Sequence, residues 1–184
     1  MKVSPVILCG GAGTRLFPGF KNGPLKQFID FGGWTLFGKT LDRIKYPIFD
    51  SPIISTNKIY KKLVIKALKK KKIKKFKIIL EPLKKNTAPA IISSTLISDI
   101  KTNQPILFLP SDHYLPNVKK FNEILKSNIQ NLNNTNIFIF GIKPKAPSSD
   151  YGYLLYKKIN KIINKVTKFI EKPNEKKAKK IILQ

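Results

Sequence analysis

The chain has few of the residues on which several common protein classes depend. It contains one cysteine, one histidine and two arginines among 184 residues. A single cysteine excludes an internal disulfide and is compatible with a reducing compartment. No Ser-His-Asp or Cys-His triad can be built around the lone histidine. No apolar run is long enough to span a bilayer, and the apolar stretch near Met1 is too short for a signal sequence. These absences predict a cytoplasmic protein without a membrane partner.

Acidic residues are also scarce, so the charge balance is extreme. Ten acidic residues stand against 36 lysines and arginines, which gives a formal net charge of +26. The lysines recur along the whole chain, whereas a nucleic-acid interface clusters basic residues with arginines and aromatics. The even spread indicates compositional drift and predicts no specific nucleic-acid partner. It also predicts non-specific, salt-sensitive adsorption to nucleic acid.

The most informative segment that is present covers residues 10–28. The apolar run Val6–Cys9 leads into a turn with almost no side chains, where backbone N–H groups can approach a polyphosphate. Cations follow at Arg15 and Lys26. The segment is neither a Walker A loop nor a complete dinucleotide fingerprint, since Leu16 stands at the third glycine position. It points to nucleotide binding, with an ordinary tight turn after a first strand as the alternative. The turn consists of Gly10, Gly11, Ala12, Gly13 and Thr14.

Short β-type runs alternate with helical patterns up to about residue 147. This order predicts an α/β fold: a Rossmann-like, mostly parallel sheet with helices on both faces. The residues after 147 predict a small antiparallel addition and a last helix from Glu175, capped by Asn174. We expect one domain over residues 1–184. The predicted strands are 3–8, 52–55, 77–80, 105–109, 136–142, 151–156 and 162–170, and the predicted helices are 37–44, 59–70, 88–100 and 118–132.

Four polar groups of residues follow predicted strands, namely 10–15, 81–87, 111–113 and 171–172. Ligands bind at the carboxyl ends of strands in such sheets, so we expect one composite site. Asp112 is a natural Mg²⁺ ligand beside a phosphate loop, because Mg²⁺ takes one or two carboxylates with phosphate oxygens and waters. The alternative is that Asp112 caps a turn. His113 is a packed or orienting residue rather than a general base.

Three further motifs are weaker by themselves. The helix start after Glu81, at Asn86 and Thr87, favours a polar or anionic ligand, or it is a plain capped helix. Gly152 between two tyrosines suits a sugar ring, or it belongs to a hairpin with surface tyrosines. Glu171 and Lys172 suit sugar hydroxyls and a phosphate, or they form a surface charge pair before a proline turn.

Taken together, the motifs resemble the sugar-1-phosphate nucleotidyltransferases, and most closely the bacterial mannose-1-phosphate guanylyltransferases. The resemblance implies Mg²⁺-dependent transfer from GTP to mannose-1-phosphate, giving GDP-mannose and pyrophosphate by in-line attack on the α-phosphate. The residues read here would accept several hexose phosphates, and a homo-oligomer stays open. The matching segments are VILCGGAGTRLFP (6–18), KQF (26–28), EPLKKNTAPAI (81–91), LPSDH (109–113), FGIKP (140–144), YGY (151–153) and VTKFIEKP (166–173).

The resemblance also implies a role for each candidate residue. Arg15 and Lys26 would neutralise the phosphates during catalysis, and Asp112 would hold Mg²⁺. The remaining roles fall into three groups: the nucleotide loop Gly10, Gly11, Ala12, Gly13 and Thr14; the guanosine-side residues Glu81, Asn86 and Thr87; and the sugar-phosphate residues His113, Tyr151, Gly152, Glu171 and Lys172.

One departure from the resembled family concerns the end of the sequence. The family continues with an asparagine-serine-glycine segment and a later aspartate that is a second metal ligand, and neither occurs here. Three hypotheses follow: an N-terminal portion or shortened form of a guanylyltransferase, a degenerate relative that binds nucleotide without turnover, or a basic nucleic-acid-binding protein with an accidental likeness.

Overall fold

The computed structural model of the chain describes residues 1–10, 25–83, 86–97, 100–101, 103–133, 135–159 and 163–183. The chain divides into two compact units, which we call the first unit (Met1–Lys126) and the second unit (Ser127–Gln184). The single domain expected over residues 1–184 stays a prediction.

The first unit is built on a four-stranded parallel sheet in the order β3-β2-β1-β4. Its strands are β1 (Ser4–Cys9), β2 (Ile53–Asn57), β3 (Lys77–Glu81) and β4 (Ile106–Pro110). Val6 on β1 lies opposite Ile53 on one side and Phe108 on the other. Strands buried on both faces are near-continuous apolar runs, which is the pattern that β1 carries. The parallel sheet predicted from the sequence is therefore confirmed.

Helices alternate with these strands, as the sequence predicts. They are α1 (Leu36–Arg43), α2 (Lys61–Lys70), α3 (Thr87–Ile97), α4 (Val118–Asn128) and, in the second unit, α5 (Glu175–Ile182). Thr35 caps α1 by accepting a hydrogen bond from the Gly38 N–H at 2.9 Å. Among the described residues, short 3-10 helices at Lys26–Phe28, Lys58–Tyr60 and Ile129–Asn131 join or extend the regular elements. None of the helices among the described residues is long and apolar enough to cross a membrane.

The core of the first unit lies between the sheet and its helices. Val6, Ile53 and Ile79 form its centre on three adjacent strands, with α3 packed against the same strands. On α2, Val64 and Leu68 are fully buried at an i, i+4 spacing, while the lysines of the helix are exposed. This amphipathic pattern explains how a chain of such high positive charge still forms a dry core.

The second unit holds a two-stranded antiparallel sheet, β5 (Tyr153–Lys158) and β6 (Asn164–Ile170). Its last helix begins at Glu175, and the Asn174 side chain accepts a hydrogen bond from the Lys177 N–H at 2.9 Å. Both the antiparallel addition and the Asn174 cap confirm the sequence predictions.

The strand predicted over 136–142 is wrong, because these described residues form no strand. The apolar alternation in this segment favours an extended backbone, but a strand also needs a partner that completes its hydrogen bonds. Ile137 and Ile142 are 90% and 86% exposed, so the segment lies on the surface without a sheet neighbour among the described residues.

Candidate active site

The strand order creates one place where a ligand is expected. The chain passes from β1 through α1 to β2, which pairs with one edge of β1, whereas the later strand β4 pairs with the opposite edge of β1. The gap between the carboxyl ends of β1 and β4, where the strand order reverses, is the switch point of the sheet. Ligands of open parallel sheets bind outside the carboxyl ends of the strands at such a switch point. Gly10 follows β1 there and Asp112 follows β4, so two of the predicted groups meet at the switch point.

The central pair of the site is Lys26 with Asp112. The Lys26 Nζ lies 3.4 Å from Oδ2 of Asp112, and the two side chains are 28% and 38% exposed. A partly exposed ion pair contributes little to folding stability, about 0–1 kcal/mol. Its place at the switch point therefore favours a role in binding, where one positive and one negative charge face the same ligand.

Neighbouring buried residues hold Lys26 in position. It begins the short 3-10 helix Lys26–Phe28, flanked by the buried side chains of Leu25 and Gln27. The Gln27 Nε2 donates to Sγ of Cys9 at 3.9 Å, and the Phe28 ring meets Phe37 of α1 edge to face at 5.3 Å. These contacts attach the 3-10 helix to the end of β1 and to α1, which explains why Lys26 lies close to a residue far along the chain.

Glu81 lies on the other side of the switch point. Its Oε1 accepts a hydrogen bond from the Ser55 Oγ at 2.5 Å, and the Asn57 Nδ2 donates to the Glu81 carbonyl oxygen at 3.2 Å. A Cβ on Gly10 would lie 3.5 Å from the Glu81 Oε2, so the carboxylate reaches across β2 to the start of the glycine-rich segment. The structure thus brings Glu81 and Gly10 together.

The other two guanosine-side candidates lie at the start of α3. Asn86 has a φ of 62°, a left-handed conformation that asparagine tolerates better than most residues. Thr87 is the first residue of α3, and both side chains are exposed. They follow β3 and therefore lie at the same edge of the sheet as Glu81. Gly11, Ala12, Gly13, Thr14 and Arg15 lie outside the described residues, and their roles stay predictions.

Cys9 and His113 have no direct catalytic signature. Burial raises the pKa of the Cys9 thiol to about 11, which keeps it protonated and unreactive at neutral pH. The His113 side chain is exposed, so the packed alternative is wrong, while an orienting or sugar-phosphate-binding role stays a prediction. Its backbone is used instead, because the His113 carbonyl oxygen accepts a hydrogen bond from Arg43.

The sugar-side candidates of the second unit also meet. A Cβ on Gly152 would lie 2.5 Å from Cζ of Phe169 and 3.1 Å from Oε2 of Glu171, so only glycine lets these side chains approach. The Lys172 Nζ lies 3.7 Å from the Glu171 Oε1, and Lys172 has a φ of 38°. Tyr151 is 69% exposed. Glycine, carboxylate and ammonium thus form one small exposed surface.

A magnesium ion is consistent with the donor chemistry of Asp112. The carboxylate is partly exposed at the switch point, which leaves room for the phosphate oxygens and waters that complete a Mg²⁺ shell. Within the part of the chain that the structure describes, there is no group of three or more His, Cys, Asp or Glu side chains that could hold a metal ion by itself. Asp112 therefore fits a site in which phosphate oxygens and waters supply most of the metal ligands.

Comparison with known proteins identifies the family. The nucleotidyl transferase family model matches residues 4–184. The chain belongs to the nucleotidyl transferase family. A mannose-1-phosphate guanylyltransferase of Escherichia coli is 36% identical over 97% of the chain, and the alginate biosynthesis protein AlgA of Pseudomonas fluorescens is 32% identical over 95%. The chain spans 40% and 37% of the lengths of these two relatives.

A solved structure supports the same assignment. The mannose-1-phosphate geranyltransferase from Thermus thermophilus superposes with a TM-score of 0.81 at 25% identity, covering 100% of this chain and 54% of its own. The fold of this nucleotidyl transferase chain and the resemblance stated from its motifs are thereby confirmed.

Sequence reasoning missed the polar end of β2. Ser55, Thr56 and Asn57 follow two buried isoleucines, and they hydrogen-bond Glu81 and the Cys9 carbonyl. The rule that selected the other polar groups, a polar run at the carboxyl end of a buried strand, was sufficient to find these residues too.

Proposed function

We propose that this nucleotidyl transferase chain transfers a guanylyl group from GTP to mannose-1-phosphate and releases pyrophosphate. The proposal is supported by the matched guanylyltransferase relatives and by one observation in particular. The Lys26–Asp112 pair lies 3.4 Å apart at the switch point of a parallel sheet, where family membership leads us to expect the nucleotide phosphates.

The reaction requires positioning and charge neutralisation rather than a covalent intermediate. A phosphate oxygen of the sugar phosphate forms a bond to the α-phosphorus of GTP, and the bond from that phosphorus to the bridging oxygen breaks. The bonding electrons leave with pyrophosphate. The Lys26 ammonium, already held at the site by its buried neighbours, balances the charge that develops on the phosphates.

Asp112 would hold Mg²⁺, which when bound neutralises phosphate charge and orients the phosphate oxygens. Glu81, fixed by Ser55, would face the guanosine side next to Gly10. Arg15 and the loop Gly11–Thr14 complete the nucleotide side of the proposal. In the second unit, Gly152 and Glu171 would address the sugar hydroxyls and Lys172 the sugar phosphate.

Pyrophosphate release by the 184-residue protein with GTP, Mg²⁺ and mannose-1-phosphate tests the proposal. We expect Asp112→Asn to lower the rate by about 100-fold or more, because one preorganised electrostatic contact in a transition state has that magnitude. The matched control is Asp50→Asn. Asp50 precedes β2 and so lies at the amino ends of the strands, and asparagine retains the oxygen that accepts from the Ser51 N–H. We expect this variant to retain the unsubstituted rate.

Equal rates for Asp112→Asn and Asp50→Asn would refute the role of Asp112. No release by the unsubstituted chain would refute the proposal that this chain suffices for turnover.

Nucleotide binding without turnover is the second candidate function. It is favoured by the described residues, in which no group of three or more His, Cys, Asp or Glu side chains could hold a metal ion without phosphate. Its signature is saturable binding of a fluorescent GTP analogue that unlabelled GTP displaces, combined with no pyrophosphate release. Absence of such binding would exclude this second candidate.

A further inference from the structure

The segment that carries Asp112 is attached to the rest of the first unit by a deeply buried cation. Arg43, the last residue of α1, is 1% exposed. Its Nη2 donates a hydrogen bond to the carbonyl oxygen of His113 at 2.8 Å. Burial lowers the pKa of Arg43, and arginine nevertheless stays protonated. A full positive charge is therefore directed at the backbone immediately after Asp112.

Thr40 acts on the other side of Asp112. It is fully buried on α1, and its Oγ1 donates to the carbonyl oxygen of Ser111 at 3.5 Å. Thr40 and Arg43 are three residues apart, so they lie on one face of the helix. The same helix face thus holds the carbonyl groups of both neighbours of Asp112.

This attachment matters because residues 111–113 have left the sheet. The Ser111 N–H still donates to the Leu8 carbonyl at 3.1 Å, but β4 itself ends at Pro110. Beyond a strand end, backbone groups need partners from side chains or water. Thr40 and Arg43 supply such partners, and the conformation that results determines where the Asp112 carboxylate lies relative to Lys26.

The energetic cost of burying the Arg43 charge indicates that this residue has a role beyond stability. A buried ionic group is expensive unless it is paired, and a well-packed apolar residue often stabilises a core better. Among the described residues, Arg43 has no carboxylate within ion-pair distance, and its Nε has no hydrogen-bond partner. The Arg43 guanidinium also lies 5.8 Å from the centre of the Phe121 ring, and the Asn122 Nδ2 donates to the Arg43 carbonyl oxygen at 3.4 Å.

We propose that Arg43, assisted by Thr40, is a positioning residue that holds residues 111–113 in the conformation in which Asp112 meets Lys26. The inference rests on the proposed function for the importance of Asp112, but the attachment itself is independent of turnover. Arginine suits the task because its rigid planar head directs a donor to a fixed acceptor while the ring of Phe121 covers its face.

Hydrogen exchange read by mass spectrometry tests the attachment directly. In Arg43→Met, which keeps an apolar stem but no donor, we expect the amides of residues 111–114 to exchange about tenfold faster or more. This factor corresponds to the loss of one charge-assisted hydrogen bond. Exchange in β1 and β2 should change much less. Arg43→Lys, which restores a donor, should recover a large part of the protection.

Thr40→Val provides a second, gentler variant, since valine nearly matches threonine in shape and removes only the hydroxyl. We expect a smaller increase in exchange, again confined to residues 111–114. The matched control is Lys45→Met, which removes a cation close to the same helix end. Its partly exposed pair with Asp42 at 3.3 Å does not touch residues 111–113, so their exchange should not change.

Unchanged exchange at 111–114 in both Arg43→Met and Thr40→Val would overturn the proposal. So would an increase spread equally over all strands, since that result reports general destabilisation. The outcome is separate from that of the proposed function. If Asp112→Asn leaves pyrophosphate release intact while Arg43→Met still frees residues 111–114, the proposed function fails and the attachment stands. If Asp112→Asn abolishes pyrophosphate release while Arg43→Met and Thr40→Val leave exchange at residues 111–114 unchanged, the attachment is rejected and the proposed function stands.

Discussion

The two units of this protein are both rich in lysine, but they bury very different fractions of their strand residues. In the first unit, five of the six residues of β1 are buried. In the second unit, six of the seven residues of β6 are exposed, including Val166 at 42% and Phe169 at 57%. Parallel strands flanked on both sides have neighbours on every face, whereas a two-stranded sheet offers each residue one partner strand.

The difference indicates how each unit supports its candidate residues. At the switch point, Lys26, Glu81 and Asp112 rest on buried neighbours that fix their positions. In the second unit, Gly152, Glu171 and Lys172 form a surface whose underlying sheet has little buried apolar area. A two-stranded sheet in water is marginally stable by itself. We therefore expect the proposed nucleotide site to be preformed and the proposed sugar-phosphate surface to be the more easily perturbed.

The largest expected contrast comes from truncating one side chain in each sheet. Ile54 on β2 is fully buried, and Ile54→Ala should lower the free energy of unfolding by about 2–5 kcal/mol, because it leaves a cavity among strands β1, β2 and β3. Val166→Ala on β6 should lower it by less than about 1 kcal/mol.

Urea unfolding measures both variants, with far-UV circular dichroism for the whole chain. Fluorescence of Trp34, the single tryptophan, reports the first unit alone. Similar losses for the two variants would show that the second sheet contributes as much to stability as the first.

A pH experiment tests whether the Cys9 thiol, at the end of β1, is shielded from water. Burial raises the pKa of Cys9 from 9.0 to about 11 in the folded state. The stabilising contribution is complete below pH 9, where folded and unfolded thiols are both protonated. It is lost as the pH rises toward 11, because the unfolded thiol ionises first. The loss should reach about 2 kcal/mol by pH 10.5.

Unfolding midpoints in urea at pH 8 and pH 10.5 provide the measurement, with Cys9→Ala as the reference that carries no thiol. Lysines and tyrosines titrate in both proteins, so only the difference between them reports Cys9. Parallel pH dependence in the two proteins would contradict a dry environment at this strand end.

The smallest expected effect concerns the glycine of the second unit. Gly152→Ala places a methyl group against the Phe169 ring, but that ring is exposed and can turn toward solvent. The loss of stability should stay below about 1 kcal/mol, with a few-fold faster exchange of the β5 and β6 amides. Gly141→Ala is the control, since its Cβ would make an ordinary 3.7 Å contact with Leu154. Equal exchange in both variants would show that the Phe169 contact does not constrain the sheet.

The residues 136–142 show where sequence reasoning reaches its limit. Their apolar alternation is a valid local preference for extended backbone, yet the described residues provide no neighbouring strand. Ile139 and Phe140 are 61% and 47% exposed. Strand formation depends on pairing with residues that are distant in sequence, and periodicity contains no information about whether such a partner is present. In contrast, α1 and α5 depend on caps and i, i+4 patterns within a few residues, and both were predicted.

The sequence by itself determined the alternation of strands and helices, the glycine-rich segment after β1, and the polar residues that follow the buried strands. These features depend on local side-chain chemistry and on the apolar content of short segments. Only the tertiary structure decided that β4 returns beside β1, that Lys26 meets Asp112, and that Arg43 holds the backbone around it. Those relations join residues that are distant in sequence, and they exist because burying the strands on both faces admits few arrangements of the chain.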